Sequence, residues 1–137
     1  MQLKFMLRKP KFPVICDFDN TVVAFLNASD MAKKIVKFSF IDDKHYDIID
    51  SKGESFTLIA GSDLMVGPSF FESRWTKRRL IDLVNNRSNK NDDSLYILKN
   101  VDSKRLEVVI RELTELLYGS DKQLNLEIKK LKKEDFI

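Results

Sequence analysis

The chain has little of what marks most recognisable chemistries. Its 137 residues include one cysteine, so Cys16 has no partner for an internal disulfide. There is one histidine, His45, and with a single Cys and a single His no zinc-ligand spacing exists. A thiolate–imidazole pair would also require Cys16 to leave the apolar run that surrounds it, where a small buried core residue is the expected role. Four glycines, Gly53, Gly61, Gly67 and Gly119, are scattered, which excludes a glycine-rich phosphate loop. Neither sign of charge dominates: 24 basic and 21 acidic residues leave a net charge of +3, too balanced to draw the chain to nucleic acid or a membrane surface by charge alone. No long apolar run occurs. Phe5-Met6-Leu7 is interrupted by Arg8-Lys9-Pro10 and reads neither as a signal peptide nor as a membrane span. The expectation is a cytoplasmic protein without a membrane partner.

What is present is enough for a fold. Hydrophobic residues make up 43% of the chain, and 137 residues match one domain. Residues 1–120 are expected to form a single domain and 121–137 a lysine-rich tail. Leu124, Ile128 and Leu131 recur in that tail at the spacing of a short helix.

The pattern along the chain mixes periods. Pro13 to Cys16 reads as a buried strand and Thr21 to Phe25 as a second extended run, with turn-forming Asp and Asn between them. Asn27 is a candidate helix N-cap with Asp30 in the first turn, and the helix should run to about Val36 with Met31, Ile35 and Phe38 inward. The clearest hairpin joins Tyr46–Ile49 to Ser55–Ile59 through Asp50-Ser51-Lys52-Gly53, where Gly53 supplies a positive φ. Phe38–Ile41 is expected as a strand beside it, and Leu64–Val66 as a short strand or loop. Ser73 is a candidate cap for a helix carrying Leu80, Ile81, Leu83 and Val84. Residues 85–93 read as a polar loop and Leu95–Leu98 as a strand. Asp102 or Ser103 should cap a helix with Leu106, Val109, Ile110, Leu113, Leu116 and Leu117 inward, stopped at Gly119. This order predicts an α+β domain, mainly antiparallel sheet, with helices packed on one face.

The most suggestive motif is Val14-Ile15-Cys16-Asp17-Phe18-Asp19-Asn20-Thr21-Val22. It resembles the first motif of haloacid dehalogenase-like phosphatases, an apolar strand followed by Asp-x-Asp-x-Thr. The resemblance implies Asp17 as nucleophile, Asp19 as acid/base and Mg²⁺ as the cofactor that offsets their mutual repulsion. Such a site also needs a Ser or Thr ending a second strand, a phosphate-holding Lys and a late acidic pair. Thr57 or Ser62 fills the second place only by force, and Asp92-Asp93 do not follow an apolar strand. The alternative is that Asp17 to Asn20 simply turn the chain between two strands, their side chains bonding local N–H groups. That reading needs no partners elsewhere and is preferred. It leaves the chain without metal or cofactor and without catalysis.

A second resemblance spans half to two-thirds of the chain. Pro13-Val14-Ile15, the turn at Asp17 to Asn20, the run Val22-Val23-Ala24-Phe25, the helix from Asn27 to Val36 and the Tyr46-Asp47-x-x-Asp50-Ser51-Lys52-Gly53 hairpin follow one another in a particular order. In that order, and in the Leu-rich helix 106–117, the chain is similar to small bacterial immunity-type proteins. These belong to polymorphic toxin and contact-dependent growth inhibition systems. The resemblance implies a stoichiometric binding protein whose partner is a cognate toxin, such as a nuclease. Residues 40–63 place Asp42, Asp43, Asp47, Asp50, Glu54 and Asp63 against Lys44 and Lys52, a local balance of −4. An acidic patch of this kind steers association with the basic groove of a nuclease, which makes these six acids the candidate binding residues.

Residues 71–90 are the reverse: Arg74, Lys77, Arg78, Arg79, Arg87 and Lys90 stand against two acids. A basic turn beside Trp75 could stack on nucleic acid, but one aromatic and one turn make a weak footprint. A solvated surface is the simpler reading of both clusters. Phe70-Phe71 is a core pair by default, and an interface if exposed.

Overall fold

The structure is a computed structural model that describes residues 2–19, 21–70, 74–87, 95–98, 101–118 and 128–131. The expected cap at Ser73, the stop at Gly119, the pair Asp92-Asp93, Lys90 and most of the 85–93 loop lie outside these residues.

A six-stranded sheet organises the fold, formed by β1 (Leu3–Phe5), β2 (Val14–Phe18), β3 (Thr21–Phe25), β4 (His45–Ile49), β5 (Ser55–Ala60) and β6 (Leu64–Pro68) in the spatial order β1-β6-β5-β4-β2-β3. Every pairing is antiparallel except β1 with β6. The α1 helix (Ala28–Lys34) lies between β3 and β4, while α2 (Lys77–Asn85) and α3 (Leu106–Leu117) follow the sheet. The chain is therefore an α+β domain built on a largely antiparallel sheet, as its pattern predicts.

Alternation along each strand divides the core in two. Val14, Cys16 and Phe18 of β2 join Ile48, Phe56, Leu58, Leu64 and Val66 on one face, under Met31 of α1 and Ile35 of the 3₁₀ turn that follows it. Ile15 of β2 joins Val22, Ala24 and Ile49 on the other, under Leu80 and Val84 of α2 and Val109, Ile110 and Leu113 of α3. The single-face placement of helices thus describes α2 and α3, and α1 departs from it. The cause is topological. β3 and β4 both run antiparallel to β2, which lies between them, so the link from β3 to β4 must cross the sheet over a face. α1 is that crossover. Asn27 caps it, its Oδ1 accepting from Asp30 N–H at 2.8 Å, as the sequence suggests.

Other expectations shift at the margins. Phe38–Ile41 is not a strand; Phe38 and Phe40 pack as side chains on the α1 core and stack around Phe18 at 5.3 and 5.1 Å between ring centroids. Thr76 caps α2 with its hydroxyl, which accepts from Arg79 N–H. Asp102 and Ser103 lie in a 3₁₀ turn, Val101–Ser103, and α3 starts after Arg105. In the tail, Ile128–Leu131 is β8, paired antiparallel with β7 (Leu95–Leu98) rather than helical. Pairing gives the four-residue segment a hydrogen-bonded partner, which an isolated turn of helix that short lacks. β1 carried no strand signal of its own; it is three residues long and draws its ladder from β6.

Candidate functional site

The chain turns back between Phe18 and Thr21, and Asp17 and Phe18, expected in the turn, belong to β2. β2 and β3 pair from Val14 opposite Phe25 to Phe18 opposite Thr21, leaving a two-residue connection, and Asp19 has φ 60. Asp tolerates this left-handed conformation better than most residues, which is why a two-residue hairpin suits it. Asp17 lies within β2, on the face that α2 and α3 cover, opposite Val22 of β3 and Asp47 of β4. Asp19 sits at the turn and forms an ion pair with Lys44, whose ammonium is held above its usual pKa by that hydrogen bond. Arg79 reaches Asp47 at 3.8 Å. A lysine and a further acid thus stand beside the motif. Among the described residues, however, no three His, Cys, Asp or Glu side chains converge as a metal-ligand set. Cys16, next to Asp17, is fully buried. Burial, with a contribution from the Asp17 charge, pushes its thiol pKa well up and keeps it protonated.

The six candidate acids do not form one patch. Asp42 and Asp43 are exposed just before β4, and neither has an ion pair among the described residues. Asp43 N–H bonds Ala60 O, so this turn lies beside the β5–β6 turn that carries Asp63. Asp63 pairs with Lys4 at 2.8 Å and accepts from Gln2 N–H, contacts that hold its carboxyl below the usual range. Asp47 lies mid-sheet. Asp50 and Glu54 are at the opposite end of β4 and β5, about 17 Å away at five residues of strand. Asp50 is only 1% exposed, and its carboxylate accepts from the N–H groups of Lys11 (3.2 Å), Lys52 (2.9 Å) and Glu54 (2.9 Å). It shapes the β4–β5 turn and leaves the surface patch. Glu54 pairs with Arg8 at 2.8 Å, which lowers its pKa.

The sheet therefore has two ends of opposite sign. At one, Asp19, Asp42, Asp43 and Asp63 outnumber Lys4 and Lys44. At the other, Arg8, Lys9, Lys11, Lys52 and Arg74 outnumber Asp50, Glu54 and Glu107.

The basic 74–87 segment serves the fold. Lys77 Nζ donates to Val101 O (2.8 Å) and Lys104 O (3.0 Å), tying α2 to the start of α3. Arg74 donates to Lys52 O, and Arg87 to Val84 O at the end of α2. Trp75 is 4% exposed, and the Arg79 guanidinium lies 3.6 Å from its ring centroid, so a base cannot stack there.

What the sequence did not single out is a groove of ≈ 390 Å³ on the α2/α3 face of the sheet, lined by Met6, Leu7, His45, Ile59, Met65 and Phe70 with Thr57, Gly67, Pro68 and Ser69. Its origin is geometric. Strands stand about 4.8 Å apart and packed helices 8–10 Å apart, so two helices cover about four strands of six. α2 and α3 lie over the β2–β3–β4 side, leaving β5 and β6 bare. Leu7 is 78% and Phe70 77% exposed at the rim. Leu7 has φ 67, with Arg8 N–H bonded to Met6 O at 2.7 Å, a three-residue turn of the strained, positive-φ kind. A leucine in that conformation costs about 1–2 kcal/mol while its side chain faces water. Sequence signals existed: Ile59 falls on the polar side of the β5 alternation, and Phe70 has no helical or strand period to bury it.

Comparison with protein-family models, curated proteins and solved structures finds no match in any of the three.

Proposed function

We propose that the protein acts without catalysis, by binding a partner protein across the bare β5–β6 face, and that the partner is a cognate bacterial toxin which it neutralises. The observation that supports this reading most is the groove itself. Large apolar side chains stand exposed together there, one of them on a strained turn, with Asp42 and Asp43 at its His45 end, neither in an ion pair among the described residues. An apolar centre with a charged rim is how binding energy and orientation are combined at protein interfaces. Exposed carboxylates at one end suit a basic partner surface such as a nuclease groove. The test is a titration with the C-terminal domain of the protein encoded immediately upstream. A stoichiometric complex that fails with Leu7→Asp/Phe70→Asp supports the reading; absence of any complex with the wild-type chain contradicts it.

One arrangement favours a second reading, a small Mg²⁺-dependent phosphatase. Asp17 faces Asp47, and Lys44 binds Asp19. Against it, both neighbours of β2 are antiparallel to it, so Asp17 does not stand in a crevice beyond the ends of parallel strands. Mg²⁺-dependent hydrolysis of a phosphate ester, abolished by Asp17→Asn, would establish this alternative.

A further inference from the structure

We propose that the groove is also a site for a small, uncharged aromatic compound that carries one carbonyl-type hydrogen-bond acceptor. Three hydroxyls meet there. Ser55 Oγ donates to Ser69 Oγ at 3.1 Å, and the Ser69 and Thr57 hydroxyls share a hydrogen bond at 2.5 Å in which either can donate. Ser55 spends its hydrogen on Ser69. Ser69 and Thr57 then hold two hydrogens for the one bond between them. One hydroxyl hydrogen is left over, on Ser69 or on Thr57, and both residues line the groove. It has no acceptor among the described residues. Thr57 stands opposite Gly67, so the floor beside it carries no side chain. A donor beside an open place is what an acceptor on a ligand would fill.

The rest of the lining sets the character of that ligand. No Asp, Glu, Lys or Arg is among the lining residues. An anion entering the groove would lose water without gaining a cation, and would meet Asp42 and Asp43 at the His45 end. The ligand is therefore uncharged. Met6 and Met65 bring polarizable thioethers that adapt to irregular shapes and pack against ring edges, and Phe70 brings an aromatic face. This set favours an aromatic body. Leu7, on its positive-φ turn, and Phe70 form the exposed wall that such a ring would cover. The volume of ≈ 390 Å³ lies at the small end of ligand sites, about 300–1,000 Å³, and suits a ring with a short carbonyl chain.

The site shares the groove with the toxin reading but does not rest on it. A missing toxin complex leaves the ligand site standing, and a chain that ignores the ligand leaves the toxin reading standing.

The test is a titration of the full chain, labelled with ¹³C at its methionine methyls, with 4-phenyl-2-butanone into the millimolar range. The Met6 and Met65 signals should shift and saturate, with a Kd on the order of 1 mM. Met31, buried on the opposite face, should not move, and its signal reports that each variant is folded. 3-Phenylpropanoate, which replaces the methyl ketone by a carboxylate of the same shape, should bind about tenfold more weakly or not at all. Thr57→Val/Ser69→Ala removes the spare donor and should weaken the ketone about tenfold. Leu7→Asp/Phe70→Asp removes the wall and should abolish binding; both side chains are exposed, so its urea midpoint should match that of the wild type. Shifts that do not saturate, or equal binding of ketone and carboxylate, overturn the proposal. So does undiminished binding by folded Thr57→Val/Ser69→Ala or by Leu7→Asp/Phe70→Asp.

Discussion

Asp17 and Asp47 stand directly opposite each other on neighbouring antiparallel strands, and Arg79 of α2 reaches Asp47 at 3.8 Å while its guanidinium covers the Trp75 ring. Like charges opposite each other destabilise a sheet, and a cation beside them offsets that repulsion. The same arginine contributes a cation–π contact. Arg79→Ala is therefore expected to lower stability by about 1–2 kcal/mol. Adding Asp17→Asn to that variant should recover part of the loss, because it removes the like-charge opposition. Urea unfolding of the two single variants and the double variant checks the coupling; additive effects would show that the pair and the arginine act independently.

The β4–β5 turn rests on two residues. Gly53 has φ 82, and a Cβ there would run into the Leu106 side chain of α3. Gly53→Ala meets both the conformational penalty and the clash and should cost about 1–3 kcal/mol. Asp50→Ala leaves the N–H groups of Lys11, Lys52 and Glu54 without their acceptor and should cost at least as much, about 2–3 kcal/mol. Both losses are read from thermal or urea unfolding, and neither variant should gain or lose any partner contact beyond its loss of folded protein.

Stability should depend on acid in a defined direction. The hydrogen bond and charge of Arg8 hold Glu54 below its usual pKa, and Lys4 does the same for Asp63. At Asp30, burial works to raise the pKa, but hydrogen bonds from Leu26 N–H, Lys34 and Tyr118 outweigh it and the net shift is downward. A carboxyl whose folded pKa is depressed contributes stability above its unfolded value, near pH ~4, and that contribution is lost as pH falls through the lower folded value. The stability curve should decline below this range; at the other extreme the raised pKa of Lys44, held first by its hydrogen bond to Asp19, gives a contribution that is lost at alkaline pH. Asp30→Asn should lessen the decline, and an unchanged acid limb would count against these contacts.

The buried Cys16 thiol, its pKa raised first by desolvation and then by the Asp17 charge, should resist alkylation in the native protein and react only on unfolding. Labelling by iodoacetamide with and without urea, read by mass, distinguishes this from an accessible thiol.

Much of the scaffold was legible because it rests on local chemistry. Asn27 caps α1, Gly53 closes the β4–β5 turn, and the apolar periods of α2 and α3 are strong enough to declare themselves. What was not legible depends on distant chain. β1 forms because β6 is there to pair with it, and α1 changes face because β2 separates β3 from β4. The six acids looked like one patch because they are close in sequence. The strand direction sends Asp42, Asp43 and Asp63 to one end of the sheet and Asp50 and Glu54 to the other, and Asp50 turns inward to its own backbone. The groove was missed for a related reason: it arises from helices that do not reach β5 and β6, and a bare face leaves no motif. A turn at Asp17–Asn20 was the preferred sequence reading; the antiparallel β2–β3 register bears out the reversal between two strands, but Asp17 and Phe18 belong to β2 and Asp19 pairs with Lys44.

The central claim is that the bare β5–β6 face binds and neutralises a toxin. Its most direct test is growth of cells that co-express this chain with the protein encoded immediately upstream. The account predicts that the wild-type chain restores growth and that Leu7→Asp/Phe70→Asp, equally folded, does not. Growth arrest with the wild-type chain present, or equal rescue by the double variant, would contradict it.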